Sequence, residues 1–380
     1  MKALKKLLKW IVGLSIIIVA LLYVTDYEHI LKGVRVVYMT GHTTAFIDDF
    51  EYFEAENIPA SSNAQPWAKH KDYNSAEATP RLNEQNEALG TIAMVIIQND
   101  SVWYEDYAEG YGRDSQTNSF SMAKSITSAL LGKAIQDGAI ESLDQPVGDF
   151  FEEYKENGMT VGDLSSMSSG LNWSEDYKNP FGITARAYYD GDLEEIMLSR
   201  GSNGPAGEAY KYLSGNTQLL GMVIEKATGK KLASYFSESF WQPMGMEQAA
   251  VWQVDDPENR MVKSYCCIGS NALDFARFGK LYKQYGKWNG QQLIDSSFVA
   301  TSIKPRFEAS PEYGYGFWLS DHLGKEIFVM RGILGQYVIT IPEDDLIIVR
   351  LGHQRLPKVE RPFGEDFYVY VEEVYKMLEG

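Results

Sequence analysis

Strand-like runs lie towards both ends of this chain with helical patterns between them, and that arrangement limits the fold more than any other feature. Ile92-Ala93-Met94-Val95-Ile96-Ile97, then Asn99-Asp100-Ser101, then Val102-Trp103-Tyr104 reads as a β-hairpin. Three more runs stand near the C-terminus: Ile327–Met330, Tyr337–Ile341 and Leu346–Leu351. Between them, Met122, Ile126, Leu130 and Ile135 recur at helical spacing and predict a helix over Met122–Asp137 with Gly138 at its stop. Further helices are predicted at Thr217–Ala227, closed by Gly229, at about Leu273–Tyr285, and as an amphipathic C-terminal segment over Glu365–Leu378. One α/β sheet drawn from both ends of the chain follows, antiparallel and flanked by helices. An inserted, mostly helical lobe over about residues 139–261 interrupts it, with the sheet region at about 88–138 and 262–380. Residues 26–87 lack sustained periodicity, contain Pro59, Pro66 and Pro80, and read as an extended N-terminal arm.

The first 25 residues form a separate segment. Lys2, Lys5, Lys6 and Lys9 make a basic head, and Trp10 to Val24 carries no charge. That apolar run is near the lower limit for a spanning helix and above most signal-peptide cores. Val24, Thr25 and Asp26 make a poor cleavage site, so an uncleaved signal anchor is the expectation, with a cleaved signal peptide as the alternative. The lysines then stay in the cytoplasm. The bulk of the chain, residues 26–380, is expected outside, membrane-anchored in the cell envelope on the periplasmic side.

Composition narrows the function. The chain has 380 residues, 44% hydrophobic and 23% charged, which suits a globular protein with a large core. A net charge of -17 offers phosphates no attraction, so nucleic acid is not an expected partner. Two cysteines, Cys266 and Cys267, cannot build a disulfide framework, and being adjacent they are expected to be buried free thiols. The five histidines show no His-Glu-x-x-His spacing, which argues against a zinc hydrolase. No metal or organic cofactor is expected, and the oligomeric state is not readable.

Ser121-Met122-Ala123-Lys124 carries the chemistry. It is the chain's single Ser-x-x-Lys, placed at the predicted start of a helix. A spacing of three puts the hydroxyl and the amine on one face, one turn apart. A serine hydroxyl is a weak nucleophile until a neighbouring base takes its proton. Lysine can be that base if burial lowers its pKa from about 10.4 towards neutrality. Taken alone, the pattern also fits a serine N-cap followed by an exposed lysine. No Gly-x-Ser-x-Gly is present, so the elbow of an α/β-hydrolase finds no support.

Several other runs stand in a recognisable order. They are Asn118-Ser119-Phe120, Leu164-Ser165-Ser166-Met167-Ser168-Ser169-Gly170, Tyr212-Leu213-Ser214, Asp274-Phe275-Ala276-Arg277-Phe278-Gly279, Trp288-Asn289-Gly290, Tyr313-Gly314-Tyr315-Gly316 and Gly332-Ile333-Leu334-Gly335. With Ser-x-x-Lys they resemble the serine hydrolases of the β-lactamase and penicillin-binding-protein superfamily. Within it the chain is most similar to class C β-lactamase-like esterases and nylon-oligomer (aminohexanoate-dimer) hydrolases, over about residues 88–375. The resemblance implies a β-lactamase/transpeptidase-like fold over residues 88–380 and hydrolysis of a small-molecule ester or amide through an acyl-enzyme. It implies Ser121 as nucleophile, Lys124 as general base and Tyr212 as proton relay, with the N–H groups of Ser121 and Ile333 as the oxyanion hole. Ser214, Arg331, Gly332, Asp176 and Tyr177 are implied or candidate substrate-binding residues. Penicillin-recognising members carry Lys-Thr-Gly, or His for Lys, where this chain reads Arg331-Gly332-Ile333. Neutral short-chain esters or amides are therefore expected over penicillins and D-Ala-D-Ala peptides. A D,D-carboxypeptidase or β-lactamase acting on cell-wall-like substrates and a catalytically silent envelope binding protein are the alternatives.

Overall fold

The computed structural model describes residues 1–358 and 360–380. Its strands, in chain order, are β1 (Ala55–Ile58), β2 (Ala68–Lys69), β3 (Thr91–Gln98), β4 (Ser101–Tyr107), β5 (Thr117–Asn118), β6 (Ala250–Gln253), β7 (Ile268–Ser270), β8 (Lys287–Trp288), β9 (Gln291–Gln292), β10 (Trp318–Ser320), β11 (Ile327–Gly332), β12 (Gln336–Ile341) and β13 (Leu346–Gly352).

Seven of them form the main sheet in the order β10-β11-β12-β13-β3-β4-β2. The sheet does draw on both ends of the chain, because β13 pairs antiparallel with β3, Arg350 lying opposite Met94. It is not purely antiparallel, since β2 runs parallel to β4 at one edge. Between β3 and β4, Asn99 and Asp100 form a two-residue turn with both φ angles positive, as a type I′ hairpin requires. A second sheet, β1-β6-β7-β5, was not visible as strands in the sequence. Its members are two to four residues long, too short to show a period.

The main sheet is buried on both faces, which is why Ile92–Ile97 reads as an unbroken apolar run rather than an alternating one. Val95, Ile97, Ile347 and Val349 pack on one side with Ile126 and Leu130. Met94, Ile96, Ile348 and Ile339 pack on the other with Phe367, Val371 and Val374 of the C-terminal helix Glu365–Glu379. The helix Ala123–Gln136 lies between the sheet and the helical lobe and is covered nearly all round. Its buried hydroxyls are satisfied by backbone carbonyls: Ser125 donates to Gly316 (2.5 Å) and Thr127 to Ser264 (2.8 Å). Gly132 is required there, because a Cβ would stand 2.4 Å from the Phe298 ring.

Residues 26–87 hold more regular structure than their sequence suggests. They include the short helix His29–Gly33, a π-turn at Val34–Tyr38, β1, β2 and the helix Pro80–Ala88 capped by Thr79. Single buried side chains pin the segment at intervals, among them Val36, Ile47, Ile58 and Trp67, whose indole donates to the Leu273 carbonyl (3.0 Å). The first helix, Lys2–Val24, has no buried residue. At 1.5 Å per residue it is about 34 Å long, matching a hydrocarbon core of about 30 Å. Length and composition allow it to cross a membrane.

Candidate active site

Ser121 lies in a short 3-10 turn, Phe120–Met122, that leads directly into the helix Ala123–Gln136. The Lys124 amine is 3.0 Å from the Ser121 hydroxyl and donates to the Tyr265 carbonyl at 2.9 Å. Lys124 is only 2% exposed. Burial lowers its pKa from 10.5 to about 8, while the Glu175 carboxylate works in the opposite direction. Tyrosine rings flank the amine, that of Tyr212 centred 5.1 Å away and that of Tyr265 5.5 Å away. This lysine is therefore not the exposed side chain of an ordinary capped helix.

The turn carrying Ser121 is held under strain by a buried network. Phe120 has φ of 45°, a left-handed conformation that costs a bulky residue energy. Its N–H donates to Asn118 Oδ1 (2.8 Å), and Asn118 Nδ2 donates to Asp49 Oδ1 (2.7 Å). The Tyr188 hydroxyl donates to the other Asp49 oxygen (2.8 Å), and the buried Lys263 amine donates to the Tyr188 carbonyl (2.6 Å). Burial raises the Asp49 pKa from 3.8 to about 6 and pushes that of Lys263 down. The N-terminal segment thereby reaches the turn that carries Ser121. Asp49→Ala should lower unfolding stability by about 3 kcal/mol or more, because buried donors lose their acceptor. Asp49→Asn, which keeps an acceptor, should cost less. The folded pKa of Asp49 lies above its unfolded value, so this group's contribution falls as pH rises from 3.8 to about 6. Urea unfolding at pH 5 and pH 7 checks both statements, and a loss below 1 kcal/mol in the alanine variant would contradict the first.

A cleft of about 800 Å³ opens beside Ser121 and is lined by Tyr265, Cys266, Ser214 and Ile333. Ile333 follows β11 and lines the same cleft as Ser121. Gly332 makes this approach possible, since a Cβ there would meet the Ser119 carbonyl at 2.5 Å. The Tyr212 hydroxyl faces Ser121, and burial holds it far above the ordinary phenol range. Tyr212 also packs on Trp318, with ring centroids 5.4 Å apart.

The other candidates differ in where they stand. Arg331 points to the sheet face that carries the C-terminal helix, with its guanidinium 4.6 Å above Trp318 and donating to the Pro362 carbonyl (3.1 Å). It does not line the cleft, although its charge reaches Tyr212. Side chains alternate along a strand, so Val329 and Arg331 share the far face, whereas Phe328 and Met330 face the central helix. Asp176 is exposed and accepts from the Lys178 N–H (3.0 Å), outside the lining, whereas Tyr177 lines the cleft mouth. Ser214 is in the wall, but its N–H (2.7 Å) and hydroxyl (2.5 Å) both donate to Glu175.

Two residues gain importance only in three dimensions. Glu175 accepts from Ser214 and the Trp173 indole (3.0 Å) and faces Lys124. Arg355, 22 to 24 residues beyond the Ile333 region along the chain, enters the cleft lining with Lys178, and its charge reaches Tyr212. Neither belongs to a short motif, so no local signal marked them. Cys266 and Cys267 are joined as a disulfide rather than free, with Cys267 in the left-handed region at φ 75°. That backbone is what lets neighbouring cysteines meet. Among the described residues, no cluster of His, Cys, Asp or Glu is arranged to hold a metal ion.

Residues 78–370 match the family model described as Beta-lactamase. The 6-aminohexanoate-dimer hydrolase of Paenarthrobacter ureafaciens is 24% identical over 302 residues, covering 73% of this chain and 76% of that protein. A Bacillus anthracis structure assigned as a 6-aminohexanoate-dimer hydrolase superposes with a TM-score of 0.74 at 21% identity, over 87% of this chain and 91% of that one. A D-stereospecific amidohydrolase from Streptomyces sp. superposes with a TM-score of 0.58 at 17% identity, over 77% and 98%.

Proposed function

Because the chain belongs to the beta-lactamase family, we propose that it is a serine hydrolase that cleaves an ester or amide through a Ser121 acyl-enzyme. The observation that carries this reading is the buried Lys124 amine, 3.0 Å from the Ser121 hydroxyl, with its pKa lowered to about 8. Neutral Lys124 takes the Ser121 proton as Oγ bonds to the substrate carbonyl carbon. The oxyanion that forms is held by the N–H groups of Ser121 and Ile333. Loss of one such donor typically costs about 3–4 kcal/mol of barrier. Tyr212, kept as a neutral phenol by burial, delivers a proton to the leaving oxygen or nitrogen as the carbonyl–heteroatom bond breaks and takes the proton held by Lys124 in its place. Water then adds to the acyl-enzyme with the same groups in reverse, releasing the acid and restoring the serine.

The named relatives support an amide or ester as substrate, since one acts on an aminohexanoate dimer and another is a D-stereospecific amidohydrolase. The position of Arg331, stacked under Trp318 and Phe363, supports a neutral substrate over a penicillin. A fluorophosphonate should label the protein once, with the adduct found on Ser121 by mass spectrometry. p-Nitrophenyl butyrate should show a kcat/KM at least tenfold above that of a chromogenic cephalosporin. A cephalosporin ahead by tenfold would favour the β-lactamase reading, and Arg355 would then be the cation to mutate. A chain that the fluorophosphonate does not label and that turns over neither substrate would be the silent binding protein.

A further inference from the structure

The cleft beside Ser121 does not end at the catalytic residues. It runs on to the segment that directly follows the apolar helix Lys2–Val24. Ile30, Val34, Val37 and Ala45 of that segment line it, together with Ala185 and Tyr189 of the helix Ile183–Tyr189. Most of this part of the wall is apolar or aromatic, with His29, Thr43, Thr44 and Thr184 as polar members. Among the described residues, no aspartate or glutamate lines the cleft, in a chain with 52 acidic residues. Its volume, about 800 Å³, is towards the upper end for a drug-sized ligand.

The same segment is fastened to the cleft wall just past the helix end. Asp26 pairs with Arg186, Tyr27 meets Phe181 edge to face at 5.3 Å, and the His29 ring is 3.0 Å from the Pro180 carbonyl. His29 is five residues beyond Val24, so it lies within about 18 Å of the helix end even with the chain fully extended. Around this end of the cleft, Tyr38 is 64% exposed, Met39 77% and Phe181 59%. Exposed aromatic and apolar side chains next to a span are the pattern of a membrane interface.

We propose that the substrate is a membrane-resident amphiphile, an ester or amide of a long-chain acyl group. Its hydrocarbon chain enters from the bilayer surface past Tyr38 and Phe181, lies along Val34 and Ala185, and presents its carbonyl to Ser121. The proposal rests on Ser121 as the nucleophile and on the helix Lys2–Val24 as a membrane anchor. It sets the acyl group, which the catalytic residues alone leave open.

The test uses the full-length chain in phosphatidylcholine vesicles with p-nitrophenyl acetate, butyrate, octanoate and dodecanoate. kcat/KM should rise at least tenfold from butyrate to dodecanoate. Val34→Asp, at a half-exposed position, places a charge in the chain path, and Ala185→Trp narrows it. Each should lower the dodecanoate-to-butyrate ratio about tenfold. Thermal melting of both variants tracks folding, and the two act by different means. Dodecanoate ester dissolved in the protein's own vesicles should be cleaved faster than the same ester delivered on albumin to vesicle-free, detergent-solubilised protein. A ratio at or below one, or variants that leave it unchanged, would overturn the long-chain assignment. Equal rates from the two sources would overturn the membrane route. Fluorophosphonate labelling of Ser121, run in parallel, separates these failures from failure of the nucleophile itself.

Discussion

Lys124→Arg should be nearly inactive, with kcat/KM lower by about 10⁴-fold or more, the scale seen when one member of a catalytic unit is removed. Guanidinium keeps its proton throughout the working range, so it cannot accept one from Ser121. Lys124→Met, which preserves length without basicity, should fall equally far. On the proposed mechanism the active species of the parent protein is the neutral amine. Activity should therefore rise with pH through about 8 and be lost as the amine is protonated below that. The rising limb belongs to the coupled Lys124–Tyr212 pair rather than to one residue. A pH–rate profile over pH 5–10 checks this. An Lys124→Arg enzyme within tenfold of the parent would overturn the assignment of the base.

Ser121→Ala should remove turnover to the limit of detection and abolish fluorophosphonate labelling. A loss of about 10⁴–10⁶-fold is the expected scale, since the remaining oxyanion donors and binding contacts still favour attack by water. The change removes one half-buried oxygen, leaves the Lys124 bond to Tyr265 in place, and should shift stability by less than about 1 kcal/mol. Steady-state rates on p-nitrophenyl butyrate, with a thermal melt of the same sample, measure both quantities. Residual activity above one per cent would send the search to another serine.

The local part of the site was legible because its chemistry is local. Ser121 and Lys124 are one turn apart, and the buried helix after them has a clear period. Tyr212 was reached through an ordered set of short motifs. Arg331 lies outside the cleft lining for a reason strand geometry makes plain: motif position does not say which face a side chain takes. In β11 the odd-numbered residues turn towards Phe363 and the C-terminal helix. Glu175 and Arg355 were silent because they act on residues outside their own loops, Glu175 on Ser214 and Lys124 and Arg355 on Tyr212. The segment at 26–87 showed no period since its apolar residues act singly, as Trp67 does against Leu273. Asp49 is the sharpest example, an unremarkable acid in sequence that supports the turn of the proposed nucleophile. The cysteine pair was misread because adjacency argues against ring closure unless one residue adopts a positive φ, and nothing in the sequence announces that Cys267 does.

The pairing of β3 with β13 also governs when the protein can mature. Met94 waits for Arg350 before the centre of the sheet has both neighbours. At about 5–20 residues per second, ribosomes add the intervening 250 or so residues in about 10–50 s. During that interval the apolar run Ile92–Ile97 has β4 on one edge and nothing on the other, an exposed template for pairing with foreign chains. Contacts of such long sequence separation also form slowly once both partners exist. The newborn chain thus depends on being kept apart from its neighbours until its last fifty residues arrive. Truncations near the C-terminus should register first as lost yield and aggregation rather than as a weakened enzyme.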